Sequence, residues 1–252
     1  MLQDPKGACR ALGKSKWFTC VTVLTLALGI GANTAIFGVV NRLMLNPLPY
    51  ANADELVYLA LDLRRFQGDG FGFPAPNSVV AAWRDEVRSL DGIESFTSAS
   101  VLAYDDSGGR VLRGMRITPG LPKLLGVAPL LGRGFTPADA DPGAPAVVVL
   151  SYEVWQRDYG GAANVIGRAI MLDEAPHVIV GVMPPRWDAF NGRPPEVLFP
   201  LSLDPAAAPG GFQASEAIAR LRRGVGPDAV RRELDPILAR AQADLPRGLF
   251  GN

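Results

Sequence analysis

Cysteine and histidine are scarce in this 252-residue sequence. The two cysteines, Cys9 and Cys20, both lie near the N-terminus, which excludes a disulfide, a cysteine-ligated zinc or a cysteine nucleophile in the rest of the chain. His177 is the single histidine, so neither a multi-histidine zinc site nor a Ser-His pair finds support. We expect His177 to be a packed or edge residue of a strand, and we expect no catalytic residue, no metal site and no cofactor.

The sequence has no excess of either charge. Lys plus Arg and Asp plus Glu number 25 each, which leaves no surplus of positive charge for a nucleic-acid backbone. We therefore expect no nucleic-acid partner. A basic cluster near the C-terminus consists of Arg220, Arg222, Arg223, Arg231 and Arg232. We predict a hydrated face that is balanced by the nearby acids Glu216, Asp228 and Glu233. Contact with anionic lipid headgroups or with an acidic partner is the alternative.

Nucleotide and calcium motifs are also missing. The Gly-rich stretch at residues 29–35 lacks the Gly-Lys-Ser/Thr sequence of a phosphate loop. Asp139 and Asp141 precede a Pro-Gly pair, but the third ligand pair and the distal glutamate of a calcium loop are absent. We therefore predict that this chain does not bind ATP and that the two aspartates lie in a solvated turn.

One long apolar run is present. Residues 17–41 form a stretch of 25 residues without a charge, and as a helix they reach roughly 37 Å, enough for the roughly 30 Å hydrocarbon layer of a membrane. Basic residues dominate before the run, and beyond Arg42 three acids precede the next basic residue, Arg64. The positive-inside rule therefore places the N-terminus in the cytoplasm and exports the rest. We predict a cytoplasmic basic N-terminus at residues 1–16 and a transmembrane helix at residues 17–45, stopped by the prolines at residues 46–49.

The apolar run has alternative interpretations. A cleaved signal peptide shares the basic start, and Gly29-Ile30-Gly31 resembles a cleavage site, but the apolar character continues beyond it to Val40. Ala27, Gly31 and Ala35 recur every four residues and Asn33 adds a polar group, a pattern that predicts close packing against a neighbouring helix. The alternative is a solitary anchor that tolerates these residues.

The rest of the chain mixes strand and helix patterns. Strands are predicted at residues 56–61, 95–104, 111–118, 146–150, 169–172 and 178–182, with turns at 105–109 and 173–176 that close two hairpins. Helices are predicted from a cap at Asn77 to Leu90, after a cap at Ser151, and from Val230 to Leu245, where Pro236 kinks the helix or starts a second one. The Gly- and Pro-rich residues 66–76 are predicted to form a loop. These patterns predict an α+β domain, in one lobe or two, over residues 46–245, with a tail at 246–252.

A series of longer motifs runs through the chain. Residues 24–37 (LTLALGIGANTAIF) and 45–50 (LNPLPY) come first, and further motifs then supply Leu125, Gly126, Gly132, Arg133, Phe135, Ser151, Trp155, Gly167, Gly181, Met183 and Pro184. In content and order they resemble the first membrane helix and the periplasmic core of ABC-transporter permeases of the MacB/FtsX type. We interpret the glycines as turns or close backbone contacts and the aromatic residues as core, with contact to a partner chain as the alternative.

The resemblance has implications for function and location. It implies a mixed α/β MacB-like periplasmic core domain behind one transmembrane helix in the cell inner membrane, in a permease subunit with an export or mechanotransmission role. It implies that the chain is not an enzyme, that a separate ABC ATPase subunit hydrolyses ATP, and that the lipid bilayer and other permease chains are further partners.

Two features set this chain apart from the resemblance. Members of the family continue into a C-terminal FtsX-like membrane half that this sequence lacks, so we expect either a truncated product or a lone anchored domain. Residues 118–122 also depart from the family pattern. A membrane-anchored periplasmic adaptor or binding domain without transport activity is the alternative function.

Overall fold

The computed structural model describes residues 16–40, 50, 52–62, 72–105, 108–185, 187, 194–204 and 213–244. The chain forms two compact units, residues 1–49 and residues 50–252. The proline stop predicted at residues 46–49 and the tail at 246–252 lie outside the described residues.

The first unit contains helix α1, Lys16–Val40. Its described large apolar side chains are exposed, among them Leu24 at 63% and Leu28 at 69%. Within the residues that the structure describes, no helix combines the length and the apolar character needed to cross a membrane. The membrane crossing of α1 stays a prediction.

The second unit is built on a large mixed sheet. Its strands are β1 Leu56–Leu59, β4 Ala75–Pro76, β5 Leu90–Asp105, β6 Gly108–Ile117, β7 Leu131–Gly132, β8 Val147–Leu150, β9 Ala169–Leu172, β10 Ala175–Val182, β11 Val197–Pro200 and β12 Ala214–Leu221. The main order is β1-β12-β5-β6-β11-β8-β10-β7, with β4 paired to β12 and β9 paired to β10 and β5. The two short strands β2 Leu61–Asp62 and β3 Gly72–Phe73 pair separately.

The helices of this unit are α2 Asn77–Glu86, α3 Leu121–Leu124, α4 Tyr152–Tyr159 and α5 Pro227–Asp244. Short 3-10 turns occupy Ala53–Glu55, Pro137–Ala140 and Ala163–Val165. Helix α5 continues through Pro236 as one helix. Helices α2 and α5 contact each other.

Three apolar clusters form the core, and strand β5 contributes to each of them. Cluster 1 lies between α2, α5 and strands β1, β5 and β12, with Trp83 and Ile237 among its members. Cluster 2 contains Phe96 of β5 and Leu121 of α3. Cluster 3 contains Val101 of β5 and Leu150 of β8. A strand of 16 residues, roughly 50 Å long, therefore runs through all three clusters.

Several predicted elements are confirmed. The β5–β6 hairpin pairs from Asp105 opposite Gly108 back to Phe96 opposite Ile117. The buried strand before Ser151 is β8, and the Ser151 hydroxyl accepts a hydrogen bond from the Val154 amide at the start of α4, as an N-cap should. The second hairpin is β9–β10. The mixed α/β class of the domain is also confirmed.

Other predictions are wrong in detail. Asn77 is the first residue of α2 and Pro76 is its cap, because the Asn77 side chain is buried and bonded to Ser215 instead. Helix α2 ends at Glu86, and Leu90 already begins β5. Within the loop predicted at residues 66–76, β3 and β4 form short strands. The strand predicted at residues 56–61 is broken at Ala60.

Candidate functional site

Arg220 joins the beginning of the second unit to the middle of the chain. Strand β12 holds this arginine opposite Leu56 of β1, and its side chain is only 16% exposed. It donates hydrogen bonds to the Asn52 carbonyl at 3.0 Å, to the Glu55 carboxylate at 3.3 Å and to the Leu124 carbonyl at 2.7 Å. The residues that follow Tyr50 are thereby tied to the C-terminal end of helix α3.

The Leu-Gly pair after α3 ends this helix. Leu125 is almost fully buried in cluster 2. Gly126 has a φ of 71°, in the left-handed region that favours glycine, and its amide donates to the Lys123 carbonyl. This turn presents the Leu124 carbonyl to Arg220.

Two glycines from separate motifs face each other in the β7–β10 ladder. Gly181 is the register partner of Gly132. A Cβ atom on Gly181 would lie 2.1 Å from the Arg133 carbonyl oxygen, and one on Gly132 would lie 2.3 Å from the Val180 carbonyl oxygen. Side chains at either position would therefore force the two strands apart.

Arg133 and Asp139 close the loop that follows β7. The guanidinium donates two hydrogen bonds to the Asp139 carboxylate, at 2.6 and 3.0 Å, and a third to the Gly134 carbonyl. The same carboxylate accepts from the amide and hydroxyl of Thr136. The hydrogen bonds from Arg133 and from Thr136 together lower the pKa of Asp139 to about 2. The adjacent Phe135 is buried in cluster 2.

The remaining motif residues surround helix α4 and the end of β10. The Trp155 indole donates to the Ala162 carbonyl at 3.0 Å. Gly167 has a φ of 86° and its amide donates to the Ile179 carbonyl. Met183 is buried and its amide donates to the Leu150 carbonyl, directly before the half-buried Pro184.

A groove of about 630 Å³ lies beside β1. Its walls include Leu59 and Trp83 on one side and Leu234 and Leu238 of α5 on the other. Tyr58 also lines the groove, and burial together with the negative charge of Glu216 raises its pKa to about 12. The sequence patterns did not reveal this groove, because its walls come from distant segments.

The prediction of which acids balance the arginine cluster is confirmed only in part. Arg220 pairs with Glu55, Arg222 pairs with Asp91 at 3.3 Å, and Arg223 lies 4.0 Å from Glu55. Glu216 interacts with Tyr58, while Glu233 accepts hydrogen bonds from the backbone amides of Arg88 and Ser89. The positive charge of Arg222 also acts on Glu233 and helps to lower its pKa. The cluster is therefore balanced by Glu233 together with Glu55 and Asp91, which lie far away in the sequence.

The residues of the predicted helix-packing face lie in α1. Ala27, Gly31 and Asn33 are exposed, and a Cβ atom on Gly31 would meet nothing within 4 Å. Ala35 belongs to the same helix, but its side chain lies outside the described part of the structure.

The possible metal ligands among the described residues do not form a cluster. Among these residues no group of three or more His, Cys, Asp or Glu side chains is arranged to hold a metal ion. His177 lies on β10, its Nδ1 is 3.0 Å from the Ala175 carbonyl oxygen, and its ring packs edge-on against Phe199.

Solved structures with this fold define the class of the domain. A domain of a protein described as a permease, from Porphyromonas gingivalis, matches with a TM-score of 0.56 and 16% identity over 77% of this chain and 84% of that chain. The periplasmic region of MacB from Actinobacillus actinomycetemcomitans matches with a TM-score of 0.55 and 15% identity over 75% and 83%. The extracellular domain of the noncanonic ABC-type transporter YknZ from Gram-positive bacteria matches with a TM-score of 0.54 and 13% identity over 75% and 94%. The fold is that of the extracytoplasmic domains of such transporters.

A sequence profile then gives the family. The profile of the MacB-like periplasmic core domain matches residues 19–237, and the chain belongs to this family. The resemblance seen in the motifs is thereby confirmed. No curated protein matches the chain.

Proposed function

We propose that this chain is the anchored core of a permease subunit in an ABC-type transporter, with an export or mechanotransmission role. The match to the family carries the proposal, because it begins at residue 19, inside helix α1, and runs into α5. Helix and domain thus belong to one family pattern. The chain passes conformational change and catalyses no reaction, while a separate ATPase subunit hydrolyses ATP.

The membrane anchor is proposed from the sequence and from the surface of α1. Residues 17–41 carry no charge, and the described large apolar side chains of α1, such as Leu24 and Leu28, are exposed. In a lipid bilayer these apolar side chains would contact lipid and not water, which is favourable. The basic residues before the helix place the N-terminus in the cytoplasm and the core domain in the periplasm.

The core domain is suited to transmit a displacement from its N-terminal end to its sheet. The residues that follow Tyr50 are held by Arg220, which also binds the end of α3. Helix α3 packs in cluster 2 with residues of β5, β6 and β11. A pull at the beginning of the unit would therefore act on the sheet through charge-assisted hydrogen bonds, which are stronger than neutral ones.

Thiol labelling tests the proposed topology. Cys9 lies before the apolar run, and Ser78 is an exposed residue of α2. In intact cells that express the Ser78→Cys variant in a Cys9→Ser and Cys20→Ser background, a membrane-impermeant maleimide should label the new thiol. In the Cys20→Ser protein, which keeps Cys9, the same reagent should label Cys9 only after the membrane is opened. Labelling in the reverse order, or a soluble protein that lacks residues 1–41, contradicts the proposal.

Copurification tests the proposed partners. The wild-type chain should copurify from membranes with an ABC-type ATPase and with ATP hydrolysis. Replacing Ala27 and Gly31 by Leu, which blocks close approach of another helix, should abolish this association, whereas the exposed control Leu28→Ala should preserve it. A chain that stays monomeric in the membrane and works equally well with the leucine substitutions would instead be an anchored adaptor or binding domain.

A further inference from the structure

Glu94 is a half-buried residue of strand β5 beneath helix α3. Its carboxylate accepts hydrogen bonds from the Thr118 hydroxyl and from the Gly120 amide, directly before α3. A Cβ atom on Gly120 would collide with this carboxylate, so the backbone of the segment lies against it. We call residues 118–125 the α3 cover, because they shield Glu94 from water.

The α3 cover joins strand β5 to Arg220. At its beginning, the Thr118 amide donates to the Ser95 carbonyl at 2.9 Å, and the Ser95 amide donates to the Thr118 hydroxyl oxygen at 2.8 Å. At its end, the Leu124 carbonyl accepts a hydrogen bond from Arg220, which also binds residues 52–55. A change beneath the cover therefore acts on the connection between the sheet and the beginning of the second unit.

The Thr118 hydroxyl has two acceptors within reach, the Glu94 carboxylate and the Ser95 carbonyl at 3.2 Å. When Glu94 is ionised, the hydroxyl donates to the carboxylate. When Glu94 takes up a proton from the solvent, the carboxylic acid can donate to the Thr118 oxygen, and the hydroxyl can turn to the Ser95 carbonyl. A hydrogen bond joins the two side chains in both states, so protonation removes a charge from under the α3 cover and leaves no donor unpaired.

Charged side chains approach Glu94 from three neighbouring elements. They are Arg84 of α2, the exposed Lys123 of α3, and Glu216 and Arg220 of β12, which flank the register partner of Glu94. Glu216 and Arg220 have partners of their own, and β6 contributes the apolar Ile117 to this face. Burial raises the pKa of Glu94 and outweighs the two hydrogen bonds and the charge of Arg84, which lower it. The folded chain therefore binds a proton here more readily than an exposed glutamate does.

We propose that Glu94 and the α3 cover form a pH-sensitive latch, in which the cover closes firmly over the protonated acid and opens more readily over the ionised carboxylate. Opening exposes Glu94 to water, which stabilises its charged form, so ionisation favours opening. The extra stability of the closed cover is fully present below the ordinary pKa of 4.5 and is lost as pH rises through the higher pKa of the closed state. In the proposed transporter, and resting on its topology, the latch responds to the extracytoplasmic pH.

Hydrogen exchange of the 252-residue chain in detergent tests the latch. The Leu124 and Leu125 amides are hydrogen-bonded within the α3 cover. Their protection, corrected for the intrinsic effect of pH on exchange, should fall at least about threefold between about pH 5 and about pH 8. In the Glu94→Gln variant it should stay constant over this range, and the Trp155 amide of α4 should behave alike in both proteins. An equal fall in the wild type and in Glu94→Gln, or constant protection in the wild type, would overturn the proposal.

A charge variant shows whether the Glu94 carboxylate itself responds to pH. Arg84→Gln removes a positive charge that lowers the pKa of Glu94, so at low ionic strength the pH at which protection falls should move upward. Arg88→Gln, at an exposed position just beyond the end of α2, should leave it unchanged. No shift or a downward shift in Arg84→Gln, or equal shifts in the two variants, would overturn the proposal. The purified chain reports on the cover irrespective of its place in a cell, so the latch can fail while the proposed transporter role stands.

Discussion

Two hydrogen bonds join Asp173, in the turn between β9 and β10, to Leu102 of strand β5. The Leu102 amide donates to the Asp173 carboxylate at 2.8 Å, and the Asp173 amide donates to the Leu102 carbonyl at 2.9 Å. Asp173 and Glu174 form the turn itself, with φ of 48° and 64°. The turn thus also fastens one hairpin to another.

Replacement of Asp173 should loosen this connection. Asp173→Ala removes the acceptor for the Leu102 amide, and we expect a loss of about 1 to 2 kcal/mol in the free energy of unfolding. Glu174→Ala is the matched control, because it places alanine at a neighbouring positive φ without removing this hydrogen bond. Urea denaturation measures both. Equal losses would assign the effect to the backbone conformation and not to the hydrogen bond.

The contact between Gly132 and Gly181 predicts a strong steric effect. Gly181→Ala places a Cβ atom against the Arg133 carbonyl, and we expect a loss of about 3 kcal/mol or more, in the range of severe overpacking. Gly143 has a positive φ, of 83°, but its neighbourhood is open. Gly143→Ala should therefore cost only about 1 kcal/mol. A Gly181→Ala variant with the thermal midpoint of the wild type would show that the strands can separate freely.

Arg220 should contribute far more to stability than the neighbouring arginine. Arg220→Gln loses charge-assisted bonds to Asn52, Glu55 and Leu124, and we expect a loss of about 2 to 3 kcal/mol. Arg223 is 90% exposed, so Arg223→Gln should change stability by less than about 0.5 kcal/mol. Differential scanning calorimetry of the two variants measures the contrast, and similar losses would refute a special position for Arg220.

The low pKa of Asp139 predicts a dependence of stability on pH. Because its pKa is about 2 in the folded chain and 3.8 in the reference state, its contribution is fully present above the reference value and is lost as pH falls through the folded value. The wild type should therefore lose stability between about pH 5 and pH 2 more steeply than Asp139→Asn. Asp141→Asn, two residues further on, is the control. Burial raises the pKa of Glu94 and acts in the opposite direction, so the difference between variants is the quantity to compare.

Local patterns in the sequence predicted the hairpins and the β8–α4 pair because the signals lie within a few residues of one another. Ser151 and Val154 are three positions apart, and Leu172 is followed at once by its turn. Strand β12 carried no such signal. Its sequence, ASEAIARL, is rich in residues that favour helices, and its strand conformation comes from pairing with β1, β4 and β5.

The hydrogen bonds made by Arg220 could not be predicted from the sequence either. Its partners Leu124 and Asn52 lie 96 and 168 positions away in the sequence, so the sequence showed it only as one member of a basic cluster. The groove shares this property, since Trp83 and Leu234 belong to different helices. The sequence motifs indicated the family correctly, whereas the contacts between distant segments could be identified only from the three-dimensional structure.

The course of β5 has a consequence for how the second unit loses its structure. This strand supplies Ile93 to cluster 1, Phe96 to cluster 2 and Val101 to cluster 3. When one cluster unfolds, strand β5 loses part of the packing that holds it, and the other two clusters depend on the same strand. No cluster can therefore unfold without destabilising the other two. Heat should therefore dismantle the whole domain in a single cooperative transition, rather than lobe by lobe.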